Sequence, residues 1–169
     1  MQKIKIEEIN QESFSSFGHL IIKNNCKRKI SINQGTTDRY HQISNLDLNS
    51  QDGIPSVSIF SAIPRSKPIS IKILEKHPLA TQTFLPIQNF NWLTVVALEH
   101  KGLPDLKSLR CFKLNGNIGL TYNRNIWHHP LLVLKNQDFW IVDRINDRED
   151  KNKNLTEYNF KNDEIFCVY

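Results

Sequence analysis

Short runs in which apolar and polar residues alternate, punctuated by proline and Asn-Gly, make up most of this chain. Residues 2–6 set Ile4 and Ile6 against Lys3 and Lys5, the period-two signature of a half-buried strand. Residues 7–17 read instead as a helix, with Phe14 and Phe17 three apart and a stop at Gly18. Residues 19–22 and 57–63 are short strands, the second alternating Val57, Ile59 and Ser61 with Ser58 and Phe60. After a turn bracketed by Pro64 and Pro68, residues 69–77 give the clearest strand of all. Pro78 and Pro86 bound another extended piece, and residues 92–98 read as a strand buried on both faces. Asp105 caps a helical turn over 105–112, with Leu106, Leu109 and either Cys111 or Phe112 facing inward. Asn115-Gly116 predicts a tight turn. Strands over 120–129, 131–134 and 139–143 follow, then a polar loop over 146–154 and a closing strand over 165–169. Many short strands with few helices predict a mainly β barrel or sandwich, and nothing divides residues 1–169 into a second domain.

Strand parity turns this pattern into chemistry. In an extended run over 69–77, Ile71, Ile73, Glu75 and His77 share one face. Lys72, Leu74 and Lys76 share the other, and two lysines make a poor interior. Glu75 and His77 are therefore expected to point inward, where the carboxylate can orient the imidazole, share a metal with it, or raise its pKa. The second histidine segment is Trp127-His128-His129-Pro130, leading into Leu131-Leu132-Val133-Leu134. Regular alternation sends only one of His128 and His129 to the cavity. Either segment alone is best read as a satisfied structural histidine; two converging in one barrel favour an active site, since imidazole titrates near neutrality.

Composition narrows the class. Hydrophobic residues make up 39% of the 169 positions and charged residues 23%, as in an ordinary soluble protein with a sizeable core. The longest apolar runs are too short to span a bilayer, and the N-terminus lacks the apolar stretch of a signal peptide. Cys26, Cys111 and Cys167 are widely spaced and odd in number, which points to a reducing compartment, the cytoplasm, and away from a disulfide framework. The net charge of +5 raises nucleic acid as a partner. Its one dense basic run, residues 23–29, has no aromatic for base stacking and reads as solvated surface. No nucleic acid or membrane partner is expected.

Taken alone, most other conspicuous residues have plain explanations. Asn33-Gln34-Gly35 is a polar turn before Arg39-Tyr40-His41. Trp92, Trp127 and Trp140 belong to core packing. Asp143-Arg144 is a structural ion pair or strand-end contact, and His19 and His100 face solvent.

Residues 74–86 resemble the ureidoglycolate lyase signature, an E-(R/K)-H-P-x-(G/A)-(S/T)-Q-x-F-x-P run. Pro104-Asp105-Leu106, Leu109-Arg110, Asn115-Gly116, Gly119, Tyr122, Trp127-His128-His129-Pro130-Leu131, Asp138-Phe139 and Asp143-Arg144 resemble the same family in order and spacing. So do Phe14, Phe17-Gly18, Asn33, Gly35 and Arg39-Tyr40-His41. The resemblance implies a cupin-type jelly-roll barrel (a double-stranded β-helix), usually a homodimer. It also implies cleavage of ureidoglycolate to glyoxylate and urea in allantoin and purine nitrogen breakdown. On it, acid–base work is expected of His77 and the inward one of His128 and His129, beside Glu75. Arg39, His41, Asn33, Gln82 and Tyr122 are expected to bind substrate. Cupins often hold a divalent metal on histidines and a carboxylate, here Glu75, His77 and His128, and nickel is the first candidate; a metal-free lyase is the other option. The family commonly has arginine where this chain has Ser61, which leaves the substrate carboxylate to Arg39 or Arg124, or points to a related substrate. The Asp-Arg motif is followed by Ile145-Asn146 in place of a glycine pair, and Leu155 replaces a cysteine. A non-catalytic cupin binding a small 2-hydroxy or 2-oxo acid, and a purely structural barrel, are the alternatives.

Overall fold

The computed structural model describes residues 2–145, 154–161 and 166–168. It is mainly β, with sheets packed as a sandwich in the manner of a cupin-like jelly roll. One sheet runs in the order Thr156–Asn159, Ile73–Lys76, Trp127–His128, Trp92–Ala97, Arg110–Leu114, Ile6–Glu8, and Leu132–Val133 also pairs with Trp92–Ala97. The facing sheet runs Gly18–Ile21, Gly119–Tyr122, Gln82–Pro86, Gln137–Ile145, Ile54–Ala62. Between them lies an aromatic core of Phe14, Phe84, Trp92, Phe112, Tyr122 and Phe139. Behind the first sheet, a small sheet of Gln2–Ile4, Phe166–Val168 and Ile69–Ile71 closes a second core around Leu74, Leu93, Val95 and Trp127. The central strand Trp92–Ala97 is thus buried on both faces, as its unbroken apolar run predicts.

Several elements differ from the pattern that local periodicity predicts. The helix expected over 7–17 is a single turn, Gln11–Phe14, because Ile6–Glu8 pairs in parallel with the Arg110–Leu114 strand, Cys111 opposite Ile6. Glu7 is tied there by Arg110, whose Nε donates to its Oε1 at 3.1 Å. Asn10 then caps the turn, its Oδ1 accepting from the Ser13 N–H at 2.9 Å. The helical turn over 105–112 is likewise short: Leu106–Ser108 is helical, capped by Asp105 as expected, and Arg110–Leu114 is strand.

The strand expected over 69–77 breaks at Lys72, whose carbonyl instead accepts from the Phe160 N–H at 3.0 Å. The break shifts the alternation, so Ile71 and Leu74 both enter the second core. Lys76 is buried after all: it pairs with Glu99, and its ammonium lies 4.8 Å from the centre of the Trp127 ring. Its burial does not displace Glu75 and His77 from the opposite side. The strand expected over 120–129 is interrupted too, Asn125 taking φ 63° between Gly119–Tyr122 and Trp127–His128. Trp92 and Trp127 are core, whereas Trp140 is 47% exposed on the outer face of its sheet. The tight turn at Asn115-Gly116 forms, closed by the Ile118 N–H on the Asn115 carbonyl. Most of the loop expected over 146–154, and parts of the closing strand, lie outside the described residues.

Gly18 opposes Tyr122 in the sheet, and a Cβ there would fall 1.9 Å from the Thr121 carbonyl oxygen. Gly18→Ala is therefore expected to cost about 2 kcal/mol or more, toward the upper end for overpacking. Urea denaturation reads it out; a midpoint equal to that of the parent chain would contradict the pairing of Gly18 with Tyr122.

Candidate active site

The two histidine segments meet because their strands are neighbours. Trp127–His128 lies between Trp92–Ala97 and Ile73–Lys76, with His128 directly opposite Glu75. Opposed residues of an antiparallel pair project from the same face, so the imidazole and the carboxylate are thrown together. His77, two residues on from Glu75, joins them, and the Asn125 N–H fixes the crossing by donating to the His77 carbonyl at 3.1 Å. The His77 and His128 ring centres are 5.4 Å apart, and His128 Nε2 is 3.6 Å from Glu75 Oε1.

Backbone carbonyls settle the tautomers. His77 Nδ1 lies 2.7 Å from the Asn154 carbonyl oxygen, and His128 Nδ1 lies 2.9 Å from that of Ile126. A carbonyl only accepts, so both Nδ1 atoms carry the proton and both Nε2 atoms present lone pairs. Neither Nε2 has a hydrogen-bond partner. The expectation that Glu75 orients an imidazole is thus corrected: carbonyls orient both rings, which frees the carboxylate.

Burial sets the charges. Desolvation holds His77 below the usual imidazole range, opposed by its bond to the Asn154 carbonyl. The same cause pushes His128 down to about 3, with neighbouring His77 adding to it. Glu75 rises to about 7, chiefly through burial and secondly through Glu157, its cross-strand neighbour. His128 therefore stays neutral, and its contact with Glu75 is not an ion pair. Tyr122 stacks on His128 with ring centres 4.2 Å apart and donates to or accepts from Thr94 Oγ1 at 2.6 Å.

A cavity of about 710 Å³ opens beside this cluster. Glu75, His77, Gln82, Asp143 and Ser61 give it a polar side; Phe60, Phe84, Leu131 and Leu155 give it an apolar one. Among the described residues no lysine or arginine lines it. Arg124 is committed to Asp47 at 2.9 Å and to the Pro78 carbonyl at 3.0 Å. Asn33, Arg39 and His41 sit on a hairpin of Arg28–Ile32 and Thr37–His41 that forms a sheet of its own. None of the three lines the cavity.

His129 is buried but stands apart from the cluster, its Nδ1 donating to the Pro130 carbonyl at 2.6 Å. The pair is thus separated, with His128 toward His77, but neither ring lines the cavity, where one of the two was expected to. Tyr122 and His128 sit behind the cavity wall, so Tyr122 contacts His128 where substrate contact was expected. Gln82 does face the cavity; its Nε2 is a long 3.4 Å from Asp143 Oδ2, and its Oε1 has no partner. Asp143 is the residue that sequence reasoning missed. It points into the cavity, while Arg144 turns to the opposite face and donates to the Gln51 carbonyl. The signal that could have found it is period-two alternation, which keeps adjacent residues of a strand from pairing on one face.

Among Glu75, His77 and His128 each residue offers one donor atom within 4.8 Å of the others. Two imidazole nitrogens and a carboxylate, with both rings anchored through Nδ1, suit a divalent first-row metal as well as proton transfer.

The family model for ureidoglycolate lyase matches residues 1–166. A ureidoglycolate lyase from Brucella anthropi is 37% identical over 95% of this chain and 91% of its own length. Relatives of the same name from Burkholderia mallei and Pseudomonas paraeruginosa are 36% and 37% identical, over 94% and 97% of this chain and 90% and 94% of theirs. A solved 3,4-ketoisomerase, QdtA from Thermoanaerobacterium thermosaccharolyticum, is similar at a TM-score of 0.41 and 10% identity, over 83% of each chain.

His129 gives the fold a pH dependence. Burial, with Arg65 also contributing, lowers it to about 4, so between pH 6.5 and 4 the unfolded chain binds a proton that the folded one refuses. Stability then falls as pH drops through that window. Glu75, raised in the fold, acts in the opposite sense between pH 4.5 and 7. His129→Gln should flatten the loss of melting temperature between pH 6.5 and 4; an unchanged slope would show that His129 is not held neutral.

Proposed function

The chain belongs to the ureidoglycolate lyase family, and on that membership we propose that it cleaves ureidoglycolate to glyoxylate and urea in allantoin and purine nitrogen breakdown. The observation that carries the chemistry is an unprotonated, partnerless His77 Nε2 beside a carboxyl group held near neutrality, Glu75, on one cavity wall.

Ureidoglycolate carries a hydroxyl, a carboxylate and a urea nitrogen on one carbon. Its cleavage moves one proton from the hydroxyl oxygen to the departing nitrogen, with no covalent step. His77 Nε2 takes the hydroxyl proton as the carbonyl forms. Glu75, half protonated near pH 7, gives a proton to the nitrogen as the C–N bond breaks. Return of the proton from His77 to Glu75 restores the starting state within the same cluster, whose donor atoms span no more than 4.8 Å. His128 remains neutral, fixed by the Ile126 carbonyl and the Tyr122 ring, and acts as a buried support for Glu75. Phe60, Phe84, Leu131 and Leu155 keep that side of the cavity apolar.

The same three donor atoms fit a divalent cation. Glu75, His77 and His128 would hold it, and nickel, which the family resemblance implies, would supply positive charge for the substrate carboxylate and hydroxyl oxygens where no described side chain does. That fit favours a metal-assisted lyase as the second reading.

The wider setting is part of the proposal: a single cupin-like domain over residues 1–169, in the cytoplasm, as a homodimer. Free thiols at Cys26 and Cys111 support a reducing compartment, and among the described residues no helix is long and apolar enough to cross a membrane. Val57, Ile59 and Trp140, all exposed on adjacent strands, support a self-association face. Light scattering of Trp140→Glu should report a monomer if that face joins two copies; a dimer as tight as the parent's would place the interface elsewhere.

Urea and glyoxylate release from ureidoglycolate, corrected for spontaneous decay, tests the activity. His77→Ala and Glu75→Gln are each expected to lose about 10²–10⁴ in kcat. Because the acid must be protonated, kcat/KM should fall about tenfold per pH unit above about 7, and Glu75→Gln should abolish that limb. Metal-stripped protein that keeps its turnover supports direct proton transfer; turnover lost on stripping and restored by nickel assigns the cluster to a metal. No turnover in either condition rejects the lyase reading.

A further inference from the structure

Beside His77, the cavity wall supplied by the Gln82–Pro86 and Gln137–Ile145 strands offers hydrogen-bond acceptors with little to satisfy them, Gln82 and Asp143 both lying close enough to act on its imidazole. Asp143 presents its carboxylate from the Gln137–Ile145 strand. Gln82, only 6% exposed, has a buried Oε1 with no partner. Its amide Nε2 donates to Asp143 Oδ2 at a long 3.4 Å. Arg144 faces away, and no described lysine or arginine lines the cavity, so nothing cationic answers Asp143.

Such a wall selects for donors. A buried acceptor without a partner is costly, and a ligand that supplies N–H groups recovers that cost on binding. A carboxylate also repels another carboxylate, so a small acid can settle here only with its own carboxylate turned away. A ureido group meets both conditions: its inner N–H and one hydrogen of its terminal NH₂ point the same way, a two-pronged donor matching the two oxygens of a carboxylate. This is the geometry that makes guanidinium–carboxylate pairs bidentate, without the charge.

Resting on the lyase reading above, we infer that Asp143, with Gln82 Oε1 beside it, is the ureido-recognition element of this cavity and fixes which end of the substrate faces Glu75 and His77. Asp143 accepts the inner N–H and one terminal N–H, and Gln82 Oε1 accepts from the remaining terminal hydrogen. The departing nitrogen is thereby held between the two sheets, with the hydroxyl-bearing carbon directed at the Glu75–His77 side. Asp143 is a specificity-determining residue: sites built to pair an N–H reject analogues that lack it far more strongly than apolar pockets reject a missing methylene.

Two stable ligands isolate the contact. Ureidoacetate keeps the carboxylate and the ureido group but has no hydroxyl to eliminate, and succinamate is the same molecule with the inner N–H replaced by CH₂. By calorimetry the parent protein should bind ureidoacetate at least tenfold more tightly than succinamate. Asp143→Asn should bring that ratio to threefold or less, with Asp143→Ser as a second, smaller replacement if the first does not fold. The inference is overturned if the parent binds both ligands equally, if it fails to bind ureidoacetate, or if the folded variants keep the parent's ratio. Parent protein that discriminates tenfold yet releases no urea from ureidoglycolate would reject the lyase reading while leaving the ureido site in place.

Discussion

The site depends on one backbone pairing, that of His128 with Glu75 across two antiparallel strands. It puts an imidazole and a carboxylate face to face without any side-chain hydrogen bond between them. Everything else about the cluster follows from how the backbone then treats the rings. Each Nδ1 is tied to a carbonyl, so each Nε2 is left bare and directed inward. A slip of one residue in this register would send Glu75 into the second core and bring Lys76 to the cavity. The short Trp127–His128 strand cannot slip readily, since it is also paired on its other edge with Val96 and Ala97.

The double burial of that sheet supplies the electrostatics. A sheet lined by one core on each side has little water near it, so ionisation is costly at Glu75 and His128. His128 is driven to the neutral form and Glu75 toward the protonated one by the same desolvation. Lys76, next to Glu75 but on the opposite face, reaches Glu99 and lies over the Trp127 ring. Adjacent residues of one strand thus meet opposite fates, Lys76 paired with a carboxylate and Glu75 poised to exchange a proton.

How much of this is legible in the sequence varies with the range of the interaction. Glu75 and His77 face inward as parity predicts, although the supporting argument from two lysines fails, because Lys76 finds partners distant in sequence. The break at Lys72 is hidden for the same reason: its carbonyl is claimed by Phe160, far along the chain. The helix expected over 7–17 shrinks to one turn because a parallel partner, Arg110–Leu114, cannot be seen from local periodicity. Asn33-Gln34-Gly35 does announce its turn, with all three residues at positive φ, but not the hairpin arm that it closes. Residue type alone assigns Trp140 to the core, whereas its alternation with Phe139 and Ile141 puts it on the other face. The same count along that strand turns Asp143 inward and Arg144 away.

Charge balance constrains what this cavity can hold. A substrate with a carboxylate is more stable in a site that offers a cation, and Ser61, where the family resemblance implies an arginine, is on this cavity's wall. The chain's excess of positive charge does not compensate, because Arg124 and Lys29 are engaged with Asp47 and Asp38, and Arg39 lies exposed on the hairpin arm. With Asp143 and Glu75 both on the wall, the described cavity is neutral to acidic. Burial reduces that conflict by raising both carboxyl groups, so that Glu75 near neutrality contributes about half a charge. A metal ion held by Glu75, His77 and His128 would reverse the sign altogether. Serine at position 61 is therefore coupled to the state of the Glu75 cluster: with no arginine or lysine on the described wall, the carboxylate end of a substrate is drawn to whatever cation or proton that cluster holds, which is where the hydroxyl-bearing carbon must be for cleavage to proceed.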